Sequence, residues 1–115
     1  MIKHLENSLD FEEELASDKN LVVDFFATWC GPCRMMGRVM EEISDQVKDV
    51  TFLKVDTDKF PEIASKYGVV SIPTLVAYKD GKRINFKEKG EETDIILGAR
   101  DEEEFLTDLK DTFGI

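Results

Sequence analysis

The chain contains two cysteines, Cys30 and Cys33, and the residues on either side of them limit the folds available. Before them stands Leu21-Val22-Val23-Asp24-Phe25-Phe26, a nearly continuous apolar run rich in β-branched and aromatic residues. Such a run fits a strand covered on both faces, the habit of α/β sheets. After them Met35, Met36, Val39, Met40, Ile43 and Val47 recur at helical spacing against Arg34, Arg38, Glu41, Glu42 and Asp45. That pattern predicts an amphipathic helix packed on a sheet. Pro32 opens it, since a missing N–H is tolerated at a first helical position. Cys30-Gly31-Pro32-Cys33 therefore occupies a strand-to-helix junction.

The remaining segments build outward from this junction. Leu9, Phe11 and Leu15, set among acidic residues, predict a short preceding helix with its methionine-rich successor packed by core contacts. Thr51–Val55 reads as a second buried strand and Thr74–Tyr78 as a third. Between them Asp58 is placed to cap a short helix that has Pro61 in its first turn and ends at Gly68. Asp80-Gly81 signals a hairpin into Lys82–Phe86. Asp101 with Glu104 resembles a capping box, followed by Phe105, Leu106, Leu109 and Phe113 as one apolar stripe. The fold class expected is α/β: a central mixed β-sheet flanked by helices on both faces, in a single domain over residues 1–115.

Charge narrows the functions. Fifteen Lys and Arg against 25 Asp and Glu leave a net charge of −10, which disfavours nucleic-acid partners. The acid is uneven: residues 91–115 hold nine acidic and two basic side chains, leaving −3 for residues 1–90. Long-range steering of partners is the role expected for it. No run approaches the ~20 apolar residues of a membrane helix. Met1–Ser8 has no apolar segment of secretory type, so no membrane association and a cytoplasmic location are expected.

The cysteine spacing carries chemistry. Thiolate is the reactive form, and a helix N-terminus favours it through free N–H groups and the helix dipole. Cys33, one turn into the helix, is placed to attack a mixed disulfide formed on Cys30. Three other readings compete: a zinc site within the chain, a cluster bridging two chains, and a purely structural disulfide. Zinc needs about four ligands, and His4 is the single histidine; carboxylates or a second chain would have to complete the set. A purely structural disulfide across two residues restrains almost no chain entropy. No metal or other cofactor is expected.

In this context Val23-Asp24-Phe25-Phe26-Ala27-Thr28-Trp29-Cys30-Gly31-Pro32-Cys33 resembles the active-site strand and loop of the thioredoxin family. Lys54, Tyr67-Gly68-Val69, Ser71-Ile72-Pro73-Thr74 and Gly98-Ala99 match it in order and spacing, across nearly the whole chain. The resemblance implies the thioredoxin fold and a protein-disulfide reductase. It makes Cys30 an exposed nucleophile and Cys33 the buried resolving thiol. Asp24 would accept the Cys33 proton with Lys54 as its partner; the plainer reading is a strand carboxylate with a local partner. Pro73 would be a cis proline facing the cysteines rather than a trans proline opening an edge strand. Trp29, otherwise a core candidate, would join Gly31, Pro32, Ile72, Pro73 and Gly98 in an uncharged surface that binds substrate.

Three positions depart from the family pattern. Arg38 stands where a helix-kinking proline is usual, with Gly37 before it, and Arg34 and Arg38 add positive charge behind the thiols. Residues 87–94 read as an insertion that either lengthens the hairpin or forms an acidic loop, a solvated loop with no dedicated role being the expected form. Phe26 replaces a common tryptophan. The partners implied are disulfide-containing target proteins and a flavin-containing thioredoxin reductase, with the chain a monomer. Gly31-Pro32 favours a reductant over a disulfide oxidant or isomerase. A redox-dependent binding module or complex subunit is the alternative from a different class.

Overall fold

The computed structural model describes residues 1–115. Strands β1 (Ile2–His4), β2 (Asn20–Phe26), β3 (Val50–Asp56), β4 (Thr74–Lys79) and β5 (Lys82–Ile84) form one sheet in the order β1-β3-β2-β4-β5. The short β8 (Ile96–Leu97) adds to β4 beyond the end of β5. β1 and β2 both run parallel to β3, whereas β4 is antiparallel to β2 and β5 to β4. The sheet is thus mixed, with β2 at its centre.

Alternation along β2 divides the core into two. Val22 faces helix α2 (Gly31–Ile43) and helix α4 (Glu102–Phe113), meeting Met36, Met40, Phe105 and Leu109. Leu21, Val23 and Phe25 face helices α1 (Phe11–Ser17) and α3 (Pro61–Lys66), meeting Phe11, Leu15 and Ile63. Helices therefore cover both faces, and the run 21–26 is apolar because both sides of β2 need filling. No helix is long and apolar enough to cross a membrane.

Local chemistry explains the junctions. Asp80 and Gly81 both take positive φ (51° and 79°), the backbone required by the tight β4–β5 turn. The Asp101 carboxylate accepts from the N–H groups of Glu103 and Glu104, satisfying two free donors at the start of α4. Glu104 is not the reciprocal half of a capping box; its carboxylate lies 3.6 Å from the Lys89 ammonium.

Several expectations are corrected. Leu9 is 87% exposed in a 3-10 turn before α1, because the register that buries Phe11 and Leu15 turns it outward. Met35 is half exposed while Met36 and Met40 are fully buried, so the methionines of α2 are not uniformly core. Asp58 caps nothing: α3 follows Phe60 without a side-chain cap. Residues 87–94 are not a free loop. Strands β6 (Phe86–Glu88) and β7 (Glu91–Thr93) pair as a hairpin through Lys89-Gly90. It is anchored by the buried Phe86 and by Lys89 N–H donating to the buried Asp108 carboxylate of α4 at 3.1 Å.

Candidate active site

β2 delivers the chain from the middle of the sheet into Ala27–Trp29, and α2 begins at once. Cys30 is the residue that caps this helix: its backbone is extended, and its Sγ accepts the Cys33 N–H at 3.2 Å. Sulfur is therefore placed where the free N–H groups and the helix dipole stabilise negative charge. Cys30 and Cys33 are joined as a disulfide with Cα atoms 5.2 Å apart. Cys30 was expected to be exposed, but only 5% of its surface is accessible, against 1% for Cys33. Ala27, Ile72 and Phe26 pack around the bonded pair.

Opposite the pair, the Ile72-Pro73 peptide bond is cis, and the Ile72 carbonyl oxygen lies 3.9 Å from Cys30 Sγ. Gly98, at φ 82°, donates its N–H to the Pro73 carbonyl at 2.9 Å. Gly31 and Pro32 are exposed on the other side. Trp29, Ile72 and Gly98 are thus brought to the same rim as the cysteines, and Pro73, expected on that surface, is buried beneath it because it leads directly into the interior strand β4.

Trp29 is 68% exposed, unlike a core tryptophan. Its Nε1–H donates to Asp58 Oδ2 at 2.8 Å, which fixes the ring beside Cys30. Trp29, Val70 and Ile72 line an apolar groove of about 240 Å³. Val70 is 94% exposed, with nothing in this chain covering it. Asp58 and Val70 are the rim residues that sequence reasoning missed. An apolar residue between Gly68 and the Ser71-Ile72-Pro73 segment was the available signal for Val70. Arg34 is exposed, its guanidinium donating to the Thr28 carbonyl at 3.0 Å, so this charge ties α2 to the cysteine loop.

Behind the rim lie Asp24 and Lys54. They are register partners on β2 and β3, and both point to the face covered by α2, the helix that carries Cys33. Asp24 is fully buried, and neither carboxylate oxygen has a hydrogen-bond partner in the protein. Lys54 Nζ stands 3.8 Å from its Oδ2. Burial raises the Asp24 pKa to about 7, outweighing the opposing pull of the Lys54 ammonium. No group of three or more His, Cys, Asp or Glu side chains is assembled for a metal ion.

A helix-capping cysteine pair facing a cis proline on a β2-centred mixed sheet can be compared directly with known proteins. The family model Thioredoxin matches residues 2–110. This chain belongs to the thioredoxin family. It is 45% identical over 94 residues to the thioredoxin of Mycoplasmoides gallisepticum, spanning 78% of this chain and 94% of that protein. With Thioredoxin-1 of Schizosaccharomyces pombe it shares 44% over 84 residues, 73% of this chain and 82% of the other. Oxidized mitochondrial thioredoxin 3 of Saccharomyces cerevisiae superposes with a TM-score of 0.77 at 35% identity, covering 96% of this chain and 94% of that one. A mutant thioredoxin from Halobacterium salinarum gives 0.80 at 28% identity, covering 99% and 92%. The fold is the thioredoxin fold, and the chain is a thiol–disulfide oxidoreductase, a protein-disulfide reductase working through Cys30 and Cys33. Thioredoxins need no cofactor, and the family in general serves disulfide-containing targets and meets a reductase.

Proposed function

We propose that this chain is a general cytoplasmic reductant of protein disulfides, monomeric and cofactor-free, recharged by a flavin-containing thioredoxin reductase. The Cys30 thiolate attacks one sulfur of a target disulfide and expels the other as a thiolate, leaving a mixed disulfide. Asp24 then accepts the Cys33 proton, and Cys33 attacks Cys30 Sγ. That step releases the second target thiolate and forms the Cys30–Cys33 disulfide, so two electrons pass to the target. The reductase returns two electrons and reopens the bond. Trp29, Gly31, Pro32, Ile72 and Gly98 form the surface against which an extended target segment lies, with Pro73 beneath it.

The observation that carries this reading is the position of Cys30 Sγ, at the start of α2 and within 3.9 Å of the Ile72 backbone. A buried carboxyl with a pKa of about 7 supports the proton-accepting role, because such a group exchanges protons near neutral pH. Lys54 supports it by keeping the ionised form accessible.

NADPH-coupled reduction of insulin with a thioredoxin reductase tests the proposal. Turnover should be lost in Cys30→Ser and in Cys33→Ser, and Cys33→Ser should retain targets as mixed disulfides. An inactive parent that still captures partners after Cys30→Ser would instead identify a binding module.

A further inference from the structure

Gly37 lies in the middle of α2, buried, where glycine is a poorer helix former than alanine. Its φ is not positive, so no turn demands glycine there. What does require it is space. A β-carbon on Gly37 would come 3.0 Å from Lys54 Nζ, tighter than such contacts normally are. The ammonium has two further neighbours, Asp24 Oδ2 at 3.8 Å and the Phe26 ring, whose centroid is 4.5 Å away.

We propose that Gly37 is a positioning residue: having no side chain, it lets the Lys54 ammonium lie against α2 and so sets its distance from the Asp24 carboxylate. The inference rests on the reading of Asp24 as the acceptor of the Cys33 proton. Lysine has open space into which to yield. It borders a cavity of about 370 Å³ whose other ionisable groups are His4, Glu6, Asp56 and Lys59. On β4 the register partner of Asp24 is the uncharged Leu75. Alanine at position 37 pushes Nζ toward this cavity and away from Asp24. A retreat of about half an ångström weakens the hold on the ionised carboxylate by about 0.4 pH units at the effective dielectric of protein sites.

The test is the pH titration of the Asp24 carboxyl carbon by NMR in the oxidised protein. Gly37→Ala, which favours helix and so folds, should move the midpoint upward by about that amount. Lys54→Met should abolish the effect, so that Lys54→Met and Lys54→Met/Gly37→Ala titrate alike. A midpoint unchanged by Gly37→Ala, or a shift that persists without Lys54, overturns the proposal. The pH dependence of mixed-disulfide resolution is recorded on the same variants. If the carboxyl midpoint moves and the resolution profile does not follow, the positioning role stands and the proton-accepting role of Asp24 fails.

Discussion

Asp24 and Lys54 face each other across adjacent parallel strands at 3.8 Å, yet the pair is unequal: the carboxyl is fully buried, whereas the lysine side chain keeps 14% of its surface exposed. The desolvation of Asp24 is therefore only partly offset, and its proton is retained to about pH 7.

Stability carries the sign of that imbalance. The folded pKa of Asp24 is raised from 3.8 to about 7, so the folded state binds the proton more tightly than the unfolded state. The associated stability is complete below about pH 4 and is lost as pH rises through 7, amounting to about 4 kcal/mol. Asp24→Asn, which cannot ionise, should match the parent at pH 3.5 and exceed it by about this amount at pH 8. Urea unfolding at the two pH values measures it; equal stabilities at pH 8 would contradict the shift.

Removing the partner charge acts in the opposite sense to removing the carboxyl. Lys54→Met should raise the Asp24 midpoint by about 1–3 units. Resolution of the mixed disulfide should then slow at pH 7 and recover only as pH passes the raised midpoint, seen as a displaced inflection in stopped-flow rate profiles.

The Trp29–Asp58 bond is exposed, so its loss should cost stability less than about 1 kcal/mol. Its expected effect is on encounter with targets. Asp58→Ala frees the indole beside Cys30 and should raise KM for protein disulfides several-fold with kcat nearly constant. Unchanged KM would show that the ring needs no anchor.

Neighbouring methionines on α2 should differ sharply. Met36→Ala, in the fully buried core, should cost about 2–5 kcal/mol, whereas the half-exposed Met35→Ala should stay within about 0.5 kcal/mol. Thermal unfolding of the two variants settles the contrast.

The acidic end offers a kinetic prediction. Glu91 and Glu92 of the hairpin and Glu102 and Glu103 of α4 stand outside the thiol site. The second-order rate constant with a reductase should depend on ionic strength, and neutralising these four residues to Gln should flatten that dependence. Kinetics indifferent to salt would leave the charge with solubility alone.

Much of this was legible because it is local. The two-sided burial of β2 is written in residues 21–26, the carboxylate at Asp24 stands out against its apolar neighbours, and Asp101 announces the start of α4. What escaped was tertiary. Trp29 and Asp58 are 29 positions apart, and only the return of β3 beside β2 brings them together. Helical periodicity locates a stripe without fixing its width, so it does not separate Met35 from Met36. β1 is three residues long, too short for alternation to register, and is held by the edge of β3. The charge of residues 87–94 concealed a hairpin whose attachment depends on Phe86 and Asp108, outside the segment itself.

The two walls of the cleft hang from very different anchors. Cys30 and Cys33 follow β2, which is paired along its length on both sides, seven registered positions with β3 and six with β4. The Gly98 wall is carried by a strand of two residues registered with β4 at two positions, by the Gly98 N–H bond to Pro73, and by the Arg100 guanidinium donating to the Leu97 and Ala99 carbonyls. Amide exchange should accordingly be slow along β2 and far faster at Ile96–Gly98, where opening breaks few bonds. The electron-transferring side is thereby the firmer of the two walls, and the opposing lip, with two registered positions against thirteen, is the one expected to yield first to targets of unequal shape.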